Sequence, residues 1–197
     1  MLQTFTLDTN CIIDVAKKRP AAPAVQALAD AHTAGRADVA VVAITASEKQ
    51  PEGHYSKDFT EFHNRLVWLG LGHLKVILPM GYWDICFWDQ CLWVGESKLE
   101  QEIHSILFPT VPFLWEDYCR ANNLDPLDRP PNPSTGKWRK WRNCKCDVQA
   151  IWSHIHHKRD VFVTSDTDFH DKKAALIAFG AGRIERPDDA LSLLPVS

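Results

Sequence analysis

Positive charge is not in excess in this sequence. Its 22 lysines and arginines are outnumbered by 25 aspartates and glutamates, which gives a formal net charge of −3. A chain with this balance has no general attraction for polyanions, so a nucleic-acid partner would have to be held by a local basic patch.

Long apolar runs are also missing. No stretch approaches the roughly 18 consecutive apolar residues of a membrane span, and the first residues lack the basic and apolar pattern of a signal peptide. We therefore expect a cytoplasmic protein that does not contact a membrane. Its 197 residues, 45% of them hydrophobic, are enough for a single domain over 1–197.

The six cysteines do not form a familiar metal-binding pattern. Cys144 and Cys146 are followed by His154, His156 and His157, which leaves zinc open as an alternative. However, C-x-C is not the usual zinc spacing, and no second matching pair follows. In a chain without an export signal, we expect reduced thiols rather than disulfides, and no functional role for these histidines.

Strand-like and helix-like segments alternate along the chain. The predicted strands are 4–7, 39–44, 74–78 and 161–163. The predicted helices are 11–34 with a break near 19–20, one beginning near Glu48, 59–69, 148–155, 174–179 and a short last one beginning at 186–189. This alternation is typical of an α/β sandwich with a mostly parallel sheet.

The region 81–136 does not follow this alternation. It is rich in tryptophan, and its tail, 125–136, is rich in proline and other loop residues. We interpret it as a partly helical insertion closed by an irregular loop. Trp83, Trp88 and Trp93 are expected to lie in the core or to contact a partner, with a base-binding platform as the less favoured alternative.

Acidic residues recur where predicted strands end or predicted helices begin. Asp8 follows the first strand, Glu48 follows the second, Asp166 and Asp168 follow the strand at 161–163, and Asp147 opens the predicted helix at 148–155. The carboxyl ends of parallel strands share one edge of the sheet, where ligands bind. All these acids can therefore reach one rim.

Carboxylates that cluster in this way repel one another unless a cation compensates. Hard divalent ions such as Mg²⁺ and Mn²⁺ prefer oxygen ligands, and they promote phosphodiester hydrolysis by activating water and stabilising phosphate charge. Each acid also has a structural alternative as a helix cap or first-turn acid. Asp14 is expected to be a solvated or paired acid outside the site.

Four segments of the chain, "FTLDTNCIIDV", "VVAITASEKQ", "CDVQAIWSHIHHKRDVFVTSDTDF" and "GAGRIERPDDAL", resemble the successive motifs of PIN-domain nucleases. They cover about the first 50 and the last 60 residues. The resemblance implies a Rossmann-like α/β/α sandwich with a compact acidic site that needs Mg²⁺ or Mn²⁺. Many members of that family are ribonucleases, including VapC-type toxins, although the middle region of this chain is longer than in a compact toxin.

The resemblance also implies roles for individual residues. It gives catalytic and metal-binding roles to Asp8, Glu48, Asp147 and Asp166, an additional metal-binding role to Asp168, and supporting polar roles to Asn10 and Thr164.

A basic and aromatic segment, "GKWRKWRNCKC", precedes Asp147. Cations can neutralise phosphates and indoles can stack on unpaired bases. The predicted substrate-binding residues are Lys137, Trp138, Arg139, Lys140, Trp141, Arg142 and Lys145. The alternative is a solvated charged face with two packing tryptophans.

The sequence therefore predicts a metal-dependent nuclease acting on RNA, with DNA as a less favoured substrate. A toxin role with a protein antitoxin, or a homodimer, is compatible with it. The alternative is a non-catalytic nucleic-acid-binding or scaffold protein on a PIN-like fold. A phosphatase with Asp8 as nucleophile is disfavoured, because "DTN" lacks the second acid of a DxD motif.

Overall fold

The fold is built on a parallel β-sheet. The computed structural model describes residues 2–48, 55–83, 85–95, 97–127 and 136–195. In these ranges, five parallel strands lie in the order β3-β2-β1-β4-β5. The strands are β1 (Thr4–Leu7), β2 (Asp38–Val42), β3 (Lys75–Ile77), β4 (Val161–Val163) and β5 (Arg183–Glu185). The predicted α/β class is confirmed.

Helices connect the strands and cover the sheet. They are α1 (Thr9–Ala16), α2 (Ala22–Thr33), α3 (Phe59–Trp68), α4 (Lys98–Leu107), α5 (Trp115–Asn122), α6 (Gly136–His156), α7 (Thr167–Asp171), α8 (Lys173–Ala178) and α9 (Pro187–Leu191), with a 3₁₀ turn at Ala43–Ser47. The predicted break between the first two helices is confirmed. The last helix begins with a proline, a position where the missing N–H has no consequence.

Two hydrophobic layers enclose the sheet because alternate side chains of a strand point to opposite faces. Phe5, Leu7 and Val39 pack beneath the helices of one face, while Ala40 and Phe162 pack beneath those of the other. Each strand can therefore be apolar along its whole length. The result is three layers, helix–sheet–helix.

The predicted helix start at Asp147 was wrong, whereas the one near Glu48 falls largely outside the described residues. Glu48 follows the 3₁₀ turn at Ala43–Ser47 in an extended conformation, and residues 49–54, where the predicted helix would continue, lie outside the described part. Asp147 does not begin a helix, because α6 already starts at Gly136.

The inner face of α6 explains why its start was predicted too late in the sequence. Trp138, Trp141, Lys145 and Gln149 recur at spacings of three and four and are all buried. A buried lysine and glutamine interrupt the apolar stripe that normally marks the inner face of a helix. The helix could therefore be recognised from the sequence only from Val148 onward.

The insertion adds α4 and α5 to one layer. Ile103 of α4 and Trp115 of α5 belong to the same core cluster as Phe162 of β4. Of the predicted loop at 125–136, residues 128–135 lie outside the described part. Trp83, Trp88 and Trp93 are 64%, 54% and 59% exposed, so the core alternative for them was wrong.

Two further expectations are answered by the described residues. In that part of the chain, no helix is long and apolar enough to cross a membrane. All six cysteines are free thiols, as predicted.

His154 is a buried structural residue of α6. Its Nε2–H donates to the carbonyl oxygen of Ala181 at 2.9 Å, so Nδ1 accepts from the hydroxyl of Thr6, also at 2.9 Å. Burial lowers the pKa of His154 from 6.5 to about 4. The imidazole is therefore neutral in the folded protein at neutral pH.

This buried histidine should weaken the fold in acid. As the pH falls below 6.5, His154 takes up a proton in the unfolded chain but not in the folded one until about pH 4. Its contribution to the free energy of unfolding should therefore fall by about 3 kcal/mol between pH 7 and pH 4. Urea unfolding of wild type and His154→Gln at both pH values measures this. The stability difference between them should shrink in acid, and a difference independent of pH would contradict the assignment.

Candidate acidic site

The candidate site lies at the carboxyl edge of the sheet, between β1 and β4. The strand order reverses direction at β1, and such a reversal opens a crevice where ligands bind in parallel sheets. Asp8 follows β1 directly, and Thr164 and Asp166 follow β4. Topology thus places residues from opposite ends of the chain beside each other.

Asp8 is fixed at both carboxylate oxygens. Its Oδ1 accepts the backbone N–H of Thr9 at 2.8 Å and so caps α1, while Oδ2 accepts the hydroxyl of Thr164 at 2.7 Å. The side chain is only 3% exposed. Capping and membership of the acidic site are therefore not alternatives, because Asp8 combines both.

Asn10 and Thr9 connect the other acids to Asp8. The side-chain amide of Asn10 lies 3.4 Å from Oδ2 of Asp8 and 3.4 Å from Oδ2 of Asp166. The hydroxyl of Thr9 donates to Oε1 of Glu48 at 2.6 Å. Thr9 was not predicted as a site residue, although its position within "DTN" was the available signal.

Asp147 is the least compensated acid of the group. Among the described residues, no donor forms a hydrogen bond or an ion pair with its side chain. Burial raises its pKa well above the usual range, and the charges of Glu48, Asp8, Asp166 and Asp168 raise it further. The structure thus brings all five predicted acids into electrostatic contact, with Asp168 exposed at the margin.

The same environment affects the other acids. Burial raises the pKa of Asp8 to about 6, opposed by its hydrogen bonds and reinforced by the charge of Asp166. Burial raises the pKa of Glu48 to about 8, and Asp8 contributes in the same direction. Carboxylates clustered in this way are unfavourable when ionised unless a cation compensates their charge.

The donor set fits a hard divalent cation that keeps part of its water shell. Within the ranges described above, no three histidine, cysteine, aspartate or glutamate side chains are placed to hold one ion directly. Mg²⁺, however, is commonly bound by only one or two carboxylates and several waters. One oxygen of Asp8 and one oxygen of Asp166 both lie 3.4 Å from the side-chain nitrogen of Asn10. Two carboxylate oxygens therefore already converge on one point.

Most of the basic segment before Asp147 is buried. Trp138, Trp141, Arg142 and Lys145 are all at most 6% exposed, because they lie on the inner face of α6. Burial of this kind disfavours the predicted contacts of Arg142 and Lys145 with phosphates. Lys137, Arg139 and Lys140 are exposed and remain candidates.

Arg142 and Lys145 have internal partners instead. The guanidinium of Arg142 lies 5.0 Å from the ring centroid of Tyr55, and its charge lowers the pKa of Glu48, partly opposing the effect of burial. The ammonium group of Lys145 lies 3.3 Å from Oε1 of Glu100. Both cations therefore act inside the protein.

Asp14 is a paired acid outside the cluster, as expected. It accepts the hydroxyl of Ser165 at 2.9 Å and forms an ion pair with Arg19 at 3.2 Å. These contacts tie α1 to the loop after β4, beneath the candidate site.

Comparison of the chain with protein-family models, with curated proteins and with solved structures found no match. The fold defines the protein as an α/β protein with a parallel sheet.

Proposed function

We propose that this protein is a metal-dependent nuclease on a PIN-like fold, acting as an endoribonuclease. The observation that carries the proposal is the convergence of Asp8, Glu48, Asp147 and Asp166 at the crevice between β1 and β4. Such a cluster is costly on its own and favourable around a divalent cation.

Mg²⁺ or Mn²⁺ would be held directly by one or two of these four carboxylates and through its own water shell by the others, with Asp168 at the margin. When bound, the ion supplies a lower pKa for the attacking water and neutralises charge on the phosphate. The protein's own contribution is orientation. Thr164 and the Thr9 N–H fix the two oxygens of Asp8, and the Thr9 hydroxyl fixes Glu48.

RNA is the favoured substrate because the acid positions resemble the motifs of a family in which many members are ribonucleases. Lys137, Arg139 and Lys140 offer exposed positive charge on the helix that carries Asp147. Cations beside an acidic site can hold the phosphate backbone in a protein whose net charge is negative.

The first test is direct. Purified protein is incubated with 5′-labelled single-stranded RNA or DNA in Mg²⁺, Mn²⁺ or EDTA, with Asp8→Asn in parallel. Asparagine keeps the size of Asp8 and can still cap α1. We expect RNA cleavage that needs the metal and is lost in the variant.

Other outcomes have equally definite meanings. Cleavage that persists in Asp8→Asn would show a contaminating nuclease. Folded protein that binds RNA but cleaves neither polymer in either metal would favour the non-catalytic binding protein.

A further inference from the structure

An aromatic cavity lies beside the first turn of α6. It has a volume of about 260 Å³ and is lined by Gly81, Tyr82, Trp83, Trp115, Glu116, Trp138 and Trp141. It is smaller than the pockets of about 300–1,000 Å³ that take drug-sized ligands. Its size therefore suits one small flat group.

The inner walls of this cavity are fixed by packing. Trp115 meets Trp138 edge to face with their centroids 4.6 Å apart, and Trp141 lies within 5.5 Å of both rings. All three indoles are buried. Trp83 is 64% exposed, so the cavity has rigid walls and one open aromatic side.

Aromatic walls accept either a cation or a flat π-system. Here Nζ of Lys145, which does not line the cavity, lies 4.9 Å from the ring centroid of Tyr82 and 5.5 Å from that of Trp141. Two of the rings that line the cavity therefore already interact with a cation, whose charge Glu100 balances. A ligand cation would have to share these rings, whereas a neutral flat ligand would not.

The surroundings indicate what carries this flat group. Lys137, Arg139 and Lys140 are exposed on the same turns of α6 as Trp138. Exposed cations beside stacking aromatics are the combination that binds single-stranded nucleic acid, since the cations track phosphates while the rings stack on bases.

Glu116 adds a preference among the bases. Glu116 is an exposed residue of the cavity lining, and a carboxylate is an acceptor with two oxygens. Guanine presents two adjacent N–H donors, N1–H and the 2-amino group, on its Watson–Crick edge, and unpaired bases are recognised through that edge. A carboxylate can accept both at once.

We propose that this cavity binds one unpaired base of a single-stranded nucleic acid, with a preference for guanine. This proposal deepens the proposed function. Base binding would matter for cleavage only if the acidic site is a nuclease site, so in this respect it rests on the proposed function. Asp147 follows Trp138 on α6 by nine residues (147 − 138), which is about 14 Å along the helix axis. Measured along the helix axis, the cavity and Asp147 are thus separated by the length of a few nucleotides.

Binding is tested in EDTA, so that cleavage does not contribute. The probes are fluorescein-labelled hexaribonucleotides with one guanine, one inosine or no purine among uridines, and the measurement is fluorescence anisotropy. We expect the guanine probe to bind tightest and the inosine probe to lose part of that advantage, because inosine lacks the 2-amino group.

Three variants separate the two parts of the proposal. Trp83→Ala should weaken binding of the guanine probe at least about tenfold through lost stacking, while Glu116→Gln should mainly reduce the preference for guanine over uridine. Trp68→Ala is the matched control, because Trp68 is 79% exposed on α3 and does not line the cavity. It should bind as wild type.

The outcomes distinguish this inference from the nuclease proposal. Metal-dependent cleavage with unchanged binding by Trp83→Ala would overturn the base site alone. Binding that depends on Trp83 without any cleavage would support the base site and overturn the nuclease. Trp83-dependent binding of a trimethyl-lysine peptide in preference to the oligonucleotides would show a cation cage and overturn the base site.

Discussion

Asp147→Asn is expected to abolish cleavage and, at the same time, to stabilise the metal-free protein. The carboxylate of Asp147 is surrounded by the charges of Glu48, Asp8 and Asp166, with no donor among the described residues. Removing its charge relieves repulsion, and each 1 kcal/mol gained raises the Tm of a domain of this size by about 2–4 °C. Losing a direct metal-binding group should cost at least about 100-fold in activity, since even outer-sphere changes cost 10–100-fold.

The stabilisation should depend on pH with a definite sign. The pKa of Asp147 is raised in the folded protein, so protonation favours the fold and ionisation opposes it. The advantage of Asp147→Asn is therefore present at pH 7–8 and disappears toward pH 4, where the wild-type carboxyl is protonated as well.

Thermal unfolding in EDTA and in Mn²⁺ measures both effects. Mn²⁺ should raise the Tm of wild type but much less that of Asp147→Asn, because binding to the folded state alone stabilises it. Asp30→Asn, on the exposed side of α2, is the matched control and should follow wild type. A destabilised Asp147→Asn that still responds to Mn²⁺ would contradict the assignment.

Glu100→Ala is expected to destabilise the fold by about 3–5 kcal/mol, because it leaves a buried charge without its partner. Lys145 is fully buried, and its ammonium lies 3.3 Å from Oε1 of Glu100. The same oxygen accepts the amide of Gln149 at 3.1 Å, and Gln149 accepts the N–H of Met80. The network therefore joins α4, α6 and the start of the insertion.

A double substitution tests whether the network acts as a pair. Glu100→Gln and Lys145→Met alone each strand one charge and should be strongly destabilising. Together they remove both charges and keep an acceptor for Gln149, so most of the stability should return. Urea unfolding of all four proteins measures the coupling, and additive losses would contradict it.

The double variant also bears on the role of Lys145. Sequence alone predicted that this lysine contacts the substrate, whereas the structure buries it against Glu100. Glu100→Gln/Lys145→Met should therefore bind single-stranded RNA as wild type does. Weaker binding by a stable double variant would instead show that Lys145 contributes to substrate binding.

The sheet and the acidic edge could be predicted because they depend on local patterns. The apolar runs of β1, β2 and β4 end in or lead to Asp8, Glu48 and Asp166, and parallel topology then brings the ends together. What could not be predicted depends on partners distant in sequence. Lys145 is internal only because Glu100, on another helix, neutralises it.

The start of α6 was obscured for a related reason. A helix whose inner face carries Trp138, Trp141 and Lys145 does not look amphipathic when lysine is counted as polar and exposed. Long charged side chains reveal their location only through the pairs they form, and one such pair here spans 45 positions.

The contact between the ends of β1 and β4 can form only late in synthesis of the chain. Thr164 reaches Asp8 across 156 positions, so a ribosome that has delivered Asp8 needs about 10–30 s more to deliver its partner at 5–20 residues per second. The N-terminal portion that emerges first holds only half of the acidic edge. The acidic edge is therefore incomplete until Thr164 and Asp166 have left the ribosome, so the nuclease proposed above would be inactive on its own messenger up to that point.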